Sequence, residues 1–105
     1  MNDYQIFLTK RAKDDITKIG DYISFTLLEP NTSKNFIKGL KNSISKLKHF
    51  PYKFPLIQND VSYEQNIHCM PYKNYYVFYQ IVETNQIVII LRIGYKHRNW
   101  QEILT

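Results

Sequence analysis

Asn74 to Trp100, NYYVFYQIVETNQIVIILRIGYKHRNW, is the stretch that decides the fold. Tyr75 to Val82 is a run of β-branched and aromatic residues, which suit a pleated, packed surface. Glu83-Thr84-Asn85-Gln86 is a polar break of hairpin length. Ile87 to Ile93 is almost wholly apolar, and so apolar a run predicts a central strand buried on both faces. Gly94 ends it. Tyr95, Lys96, His97, Arg98 and Trp100 follow directly, two rings and three groups able to carry positive charge. A working site is sought first in this tail.

Upstream, Asn66 to Met70 reads as a short strand, with Ile67 and Cys69 facing one way and His68 and Met70 the other. Pro71-Tyr72-Lys73-Asn74 turns it into the long strand. Three strands in sequence predict an antiparallel meander. Before them, Phe50-Pro51-Tyr52-Lys53-Phe54-Pro55 is an aromatic and proline linker, and Gln58 to Gln65 a polar loop. The linker's rings can cover helix ends or stack on bases.

The N-terminal half is helical. Ala12, Ile16, Ile19, Ile23 and Leu27 recur at spacings of three and four, the buried stripe of an amphipathic helix. Thr9 can cap it. Asp14, Asp15 and Asp21 fall outside the stripe. Gly20 costs such a helix about 1 kcal/mol unless close packing needs it. Pro30-Asn31-Thr32 is a turn, with Asn31 or Thr32 as cap. Phe36, Ile37, Leu40, Ile44, Leu47 and Phe50 then repeat the spacing until Pro51. The short join makes the helices an antiparallel pair. Lys34, Lys38, Lys41, Lys46 and Lys48 lie off the apolar stripe, either as a solvated face or as a surface for RNA phosphates. Tyr4 to Leu8 alternates and predicts a first strand at a sheet edge. The architecture expected is α+β: an N-terminal strand, an antiparallel helical hairpin on one face of a small sheet, the meander, and a short tail. The other face is left available.

The chain has 105 residues, enough for one domain with one modest core. No apolar run approaches the roughly 20 residues that span a bilayer. The opening MNDYQIFLTK has no apolar signal core, so a cytoplasmic protein is expected. A lone cysteine, Cys69, excludes an internal disulfide and a thiolate metal site. Cys69 reads as a small core residue. His49, His68 and His97 have no ligand-like spacing, and neither a metal nor a cofactor is expected. Glycine-rich phosphate loops and nucleophile elbows are absent from the sequence. The net charge of +5 suits a polyanion, an acidic protein partner, or simply a basic soluble domain.

LTKRAKDDI, FPYKFPLI and MPYKNYYVFYQIVETNQIVIILRIGYKHRNWQEIL, in this order, resemble the RelE/ParE superfamily of bacterial type II toxin–antitoxin systems over nearly the whole chain. The resemblance implies a small antiparallel sheet with two N-terminal helices, and a growth-slowing toxin silenced by a cognate antitoxin. Two actions occur in the superfamily. RelE-like members enter the ribosome and cut mRNA; ParE-like members are not nucleases and act on DNA gyrase. On the first reading, the leading one, His97, Arg98 and Arg92 are the catalytic candidates. Lys73, Tyr76, Tyr95, Lys96 and Trp100 would then hold RNA. The chemistry needs a base for the 2′-hydroxyl, cations for charge at phosphorus, and rings for stacking. Arg92 has a structural alternative, a buried ion pair. On the second reading no acid–base pair is needed, only a surface of rings and arginines. Tyr75-Tyr76 stands where RelE-like members often carry arginine, and that favours the second slightly.

Overall fold

The computed structural model describes residues 3–57 and 65–104, so most of the expected polar loop from Gln58 lies outside the described residues. β1 is Gln5–Leu8, α1 Lys10–Asp21, α2 Pro30–Ser45, β2 His68–Tyr72, β3 Tyr75–Val82, β4 Ile87–Tyr95 and α3 Trp100–Leu104. The strand order is β1-β4-β3-β2. β2, β3 and β4 form the expected antiparallel meander. β1 takes the expected edge but runs parallel to β4, pairing Gln5 with Ile87 and Leu8 with Ile90, so the sheet is mixed. Alternation along a five-residue strand is identical in both directions, and the direction comes from the crossover through the helices.

α1 and α2 cover one face. Ala12, Ile16, Phe36, Leu40 and Ile44 from the helices meet Met70, Val77, Tyr79, Val88, Ile90 and Ile93 from the sheet in the main core. The Thr9 hydroxyl accepts from the Ala12 amide at 3.1 Å, as expected of an N-cap. Gly20 is a close-packing position. A Cβ there would lie 2.6 Å from Ile37 Cδ1, and the Ser33 hydroxyl donates to the Gly20 carbonyl at 2.7 Å.

Four expectations are corrected. β2 starts at His68 and runs on through Pro71 and Tyr72, so the turn into β3 is Lys73-Asn74 alone. The first helix does not continue regularly to Leu27: Tyr22–Thr26 widens to π geometry, and Leu28 takes a left-handed φ of 54°. α2 starts at Pro30 with Glu29 as N-cap residue, not at Asn31 or Thr32. A proline suits the first helical position, where no amide hydrogen is required. Finally, the sheet face turned from the helices is not open. Ile67, Phe78 and Ile103 form a second core there, with Ile57, Cys69, Tyr76, Leu91, Trp100 and Leu104 packed against it. A five-residue helix has no stability of its own. α3 is held by Ile103, 1% exposed, which fits where Gly94 has no side chain.

Among the described residues, no helix is long and apolar enough to cross a membrane.

Candidate functional site

β1 pairs with β4 only as far as Ile90, while β4 runs on to Tyr95. Side chains take over the exposed edge from there. The Thr9 amide donates to the Ile90 carbonyl at 3.0 Å, and the Thr9 hydroxyl to the Leu91 carbonyl at 2.8 Å. The Ile93 amide donates to Asp15 Oδ2 at 2.9 Å. A bulge sits at the same place. Phe78 pairs with Arg92 but Tyr79 with Ile90, leaving Leu91 as an extra residue. Plain alternation with Val88 and Ile90 would turn Arg92 into the helix-side core; the extra residue gives that place to Ile93.

Arg92 is thereby fixed between α1 and α3. Its Nε donates to Asp15 Oδ2 at 2.7 Å and its Nη2 to Asp15 Oδ1 at 3.0 Å, a two-pronged ion pair. Nη1 donates to the Ile103 carbonyl at 2.5 Å. The two side chains are only 12% and 10% exposed. The arginine candidate for phosphate contact is therefore engaged in holding α1, β4 and α3 together. Asp15, set outside the apolar stripe by its charge, is buried. An arginine inside an apolar strand was the available signal that some helix had to supply it with a carboxylate.

The remaining candidates are divided by the sheet. Tyr76 and Lys96 lie on the α3 side, with the Lys96 ammonium 5.3 Å from the centre of the Tyr76 ring. Trp100 is packed, half-buried, in the core on that side. Cys69 is on this side too, and burial pushes its thiol up to about 11, the inert state of a core cysteine. Tyr95 and Lys73 lie toward the helices. Lys73 tops the β2–β3 turn with a φ of 50°, its ammonium 5.6 Å from the Phe36 ring. Tyr95 meets Tyr75 at 5.8 Å and His97 at 5.2 Å, edge to face. His97 and Arg98 are exposed on the turn after β4, which the Arg98 amide closes onto the Tyr95 carbonyl at 3.0 Å. The tail is thus one segment with its groups aimed in three directions.

What the structure does bring together is a groove of about 700 Å³ at the open end of the helical pair. Ile19, Tyr22, Leu27, Phe36, Tyr75 and Tyr95 line it, together with Lys18 and Lys73. Phe25 and Leu28 project beside it, 73% and 79% exposed. Large apolar side chains in a row, a π turn and a left-handed leucine at one place are features that collect at functional surfaces. Leu27 and Phe36 escaped as site residues because their spacing is that of core residues, and Tyr22, beside the stripe, carried no signal of its own. Among the described residues, no cluster of three or more His, Cys, Asp or Glu is placed to hold a metal ion.

Residues 6–100 match the family model described as the ParE toxin of the type II toxin–antitoxin system, parDE. No curated protein sequence matches the chain. Among solved structures, the chromosomal ParDE system of P. aeruginosa superposes with a TM-score of 0.72 at 14% identity, covering 88% of this chain and 95% of that one. The RelBE2 toxin–antitoxin complex of Mycobacterium tuberculosis gives 0.65 at 16% identity, with 93% and 97% covered. The intact E. coli RelBE complex gives 0.61 at 15%, with 90% and 99% covered. At such identities the likeness is one of fold.

Proposed function

This chain belongs to the ParE toxin family of type II toxin–antitoxin systems, and on that premise we propose that it acts by binding a protein rather than by cutting RNA. DNA gyrase is the target that the ParE resemblance implies, and an antitoxin is the partner that silences it. The observation carrying this reading is the ring-lined groove of Tyr22, Leu27, Phe36, Tyr75 and Tyr95, with Lys18 and Lys73 also in its lining. Aromatic side chains are the residues that protein interfaces use as anchors, with polar groups kept to a solvent-accessible rim. The state of Arg92 points the same way. A guanidinium already donating to Asp15 and to the Ile103 carbonyl has to abandon a buried ion pair before it can meet a phosphate, and breaking such pairs costs about 3–5 kcal/mol.

The ribonuclease reading rests on His97 and Arg98, exposed beside Tyr95. Pulsed expression of the free chain separates the two. Protein targeting of the gyrase kind gives a DNA-damage response with intact mRNA. It also gives loss of growth arrest in Leu27→Asp and Tyr95→Ala, with arrest kept in His97→Ala and Arg98→Ala. Early cleavage of mRNA, relieved by His97→Ala, would overturn the proposal and establish the nuclease.

A further inference from the structure

The groove and the tail leave one feature of the chain unused. Between Glu29 and Asp60 there is no acidic residue, yet there are six lysines. That segment holds more positive charge than the net +5 of the whole chain, and the other residues balance to nearly zero with eight bases and nine acids. It ends in a group of open rings. Phe50 is 66% exposed and Tyr52 59%. Lys46, Lys48 and Lys53 are exposed around them.

The backbone that carries these rings is braced, and the Tyr52 ring lies edge-on to His68 at 5.9 Å. The turn that bears them is anchored by Tyr79, whose buried hydroxyl donates to the Pro51 carbonyl at 2.7 Å. It is anchored again by His68, whose Nδ1 lies 2.8 Å from the Phe54 carbonyl oxygen. Tyr52 donates its hydroxyl to Glu83, and the Lys53 amide closes the turn onto the Phe50 carbonyl at 3.2 Å. Beside the turn, Lys46, His49, Phe50 and Lys53 border a cleft of about 320 Å³ with Ser43 and Pro71. Two carboxylates are near: Asp3 pairs with His49 at 3.0 Å, and Glu83 is taken up by Tyr4 and Tyr52. The negative end of a helix dipole accounts for one or two lysines in a last turn. It does not account for rings left in water between them.

We propose that this end of α2, Lys46 to Lys53, is a binding surface for a single-stranded polynucleotide, with bases stacked on Phe50 and Tyr52 and phosphates on Lys46, Lys48 and Lys53. Every base offers a face to a ring, so such a surface reads strandedness and charge rather than sequence. A duplex keeps its bases stacked on each other and cannot use the rings. The surface is separate from the protein-binding groove, and this inference stands whether or not that groove engages gyrase.

Fluorescence anisotropy of the full chain with labelled twelve-residue mixed-sequence DNA and RNA oligonucleotides, single- and double-stranded, tests it. Single strands should bind more tightly than duplex, with affinity falling as salt rises. Phe50→Ala should weaken single-strand binding by about fivefold to a hundredfold, the range for one base–ring stack. Lys46→Gln with Lys53→Gln should flatten the log–log salt dependence by about 1.4, two phosphates' worth for single strands. All three side chains are exposed, and an unchanged melting temperature verifies each variant's fold. Comparison of the DNA and RNA arms identifies which polymer the surface prefers. The proposal is overturned if neither single strand binds, if duplex binds as well as single strand, or if affinity survives these changes and is lost instead in Lys96→Ala with Arg98→Ala. Capture of an acidic protein through Phe50, with no oligonucleotide bound, overturns it as well.

Discussion

Replacing Asp15 with alanine should be among the most damaging single changes a surface-type residue can suffer here. Asp15 accepts three hydrogen bonds, two from Arg92 and one from the Ile93 amide. The side chains of the ion pair are 12% and 10% exposed. Removing the carboxylate leaves a guanidinium out of water with only the Ile103 carbonyl as partner, and leaves the Ile93 amide unpaired. Loss of one partner from a buried pair costs about 3–5 kcal/mol, against a total stability of about 5–15 kcal/mol for a domain. At the lower figure the melting temperature falls by roughly 10–20 °C for a chain of this size. Asp14→Ala is the control. Asp14 is exposed on the same turn, and its loss should change stability by under about 0.5 kcal/mol. Urea unfolding followed by far-UV circular dichroism measures both. Asp15→Asn should fall between, since an amide oxygen still accepts from Ile93 without meeting the charge. Arg92→Met in the Asp15→Leu background should recover part of the loss, because apolar replacement of both partners removes the stranded charge. The reasoning is refuted if Asp15→Ala costs no more than Asp14→Ala.

Gly94→Ala places a methyl against the Ile103 side chain and should lift α3 from the sheet, costing about 1–3 kcal/mol as overpacking does; Trp100 fluorescence shifting to the red while the far-UV signal persists would report it. Thr9→Ala removes the cap of α1 together with the bond to the Leu91 carbonyl and should cost about 1–2 kcal/mol, read from the same urea curves. The two phenols donating to Glu83 hold its carboxyl below the ordinary range, and that same bond pushes the Tyr4 hydroxyl up to about 12. A depressed carboxylate adds stability that is present above its unfolded pKa and lost as pH falls through the folded value. A raised phenol adds stability present below its ordinary value of 10 and lost as pH climbs toward 12. In Glu83→Gln, ultraviolet titration of phenolate should bring Tyr4 back toward its ordinary value, and the acid limb should lose this group's contribution.

Elements whose residues vote together were readable from the chain. Tyr75 to Val82 is mostly aromatic and β-branched and Ile87 to Ile93 almost wholly apolar, and they are β3 and the interior strand β4. The stripe from Ala12 to Leu27 is core as far as Ile23, and that from Phe36 to Phe50 as far as Leu47; their last members, Leu27 and Phe50, are exposed. What escaped was decided by distant partners. Asp15 has its reason for burial 77 positions away, in Arg92. The bulge at Leu91 follows from the need to keep that arginine out of the core, and no local pattern announces it. The second core hid in the tail, where Trp100, Ile103 and Leu104 make too short an apolar set to announce which face they bury. The tail's composition was legible but not its geometry: Tyr76 and Lys96 lie on one side of the sheet and Tyr95 on the other. The groove draws on α1, α2, the β2–β3 turn and the end of β4, and no contiguous stretch contains it.

The side chains of Thr9 and Asp15 finish the border of β4 where the first strand gives out. A stranger's extended chain arriving at that border finds the Leu91 carbonyl and Ile93 amide already occupied and has nothing to zip onto. Colloidal behaviour therefore depends on α1 staying docked: a partly melted first helix would turn one quiet rim of a ring-rich protein into a seed for fibrils.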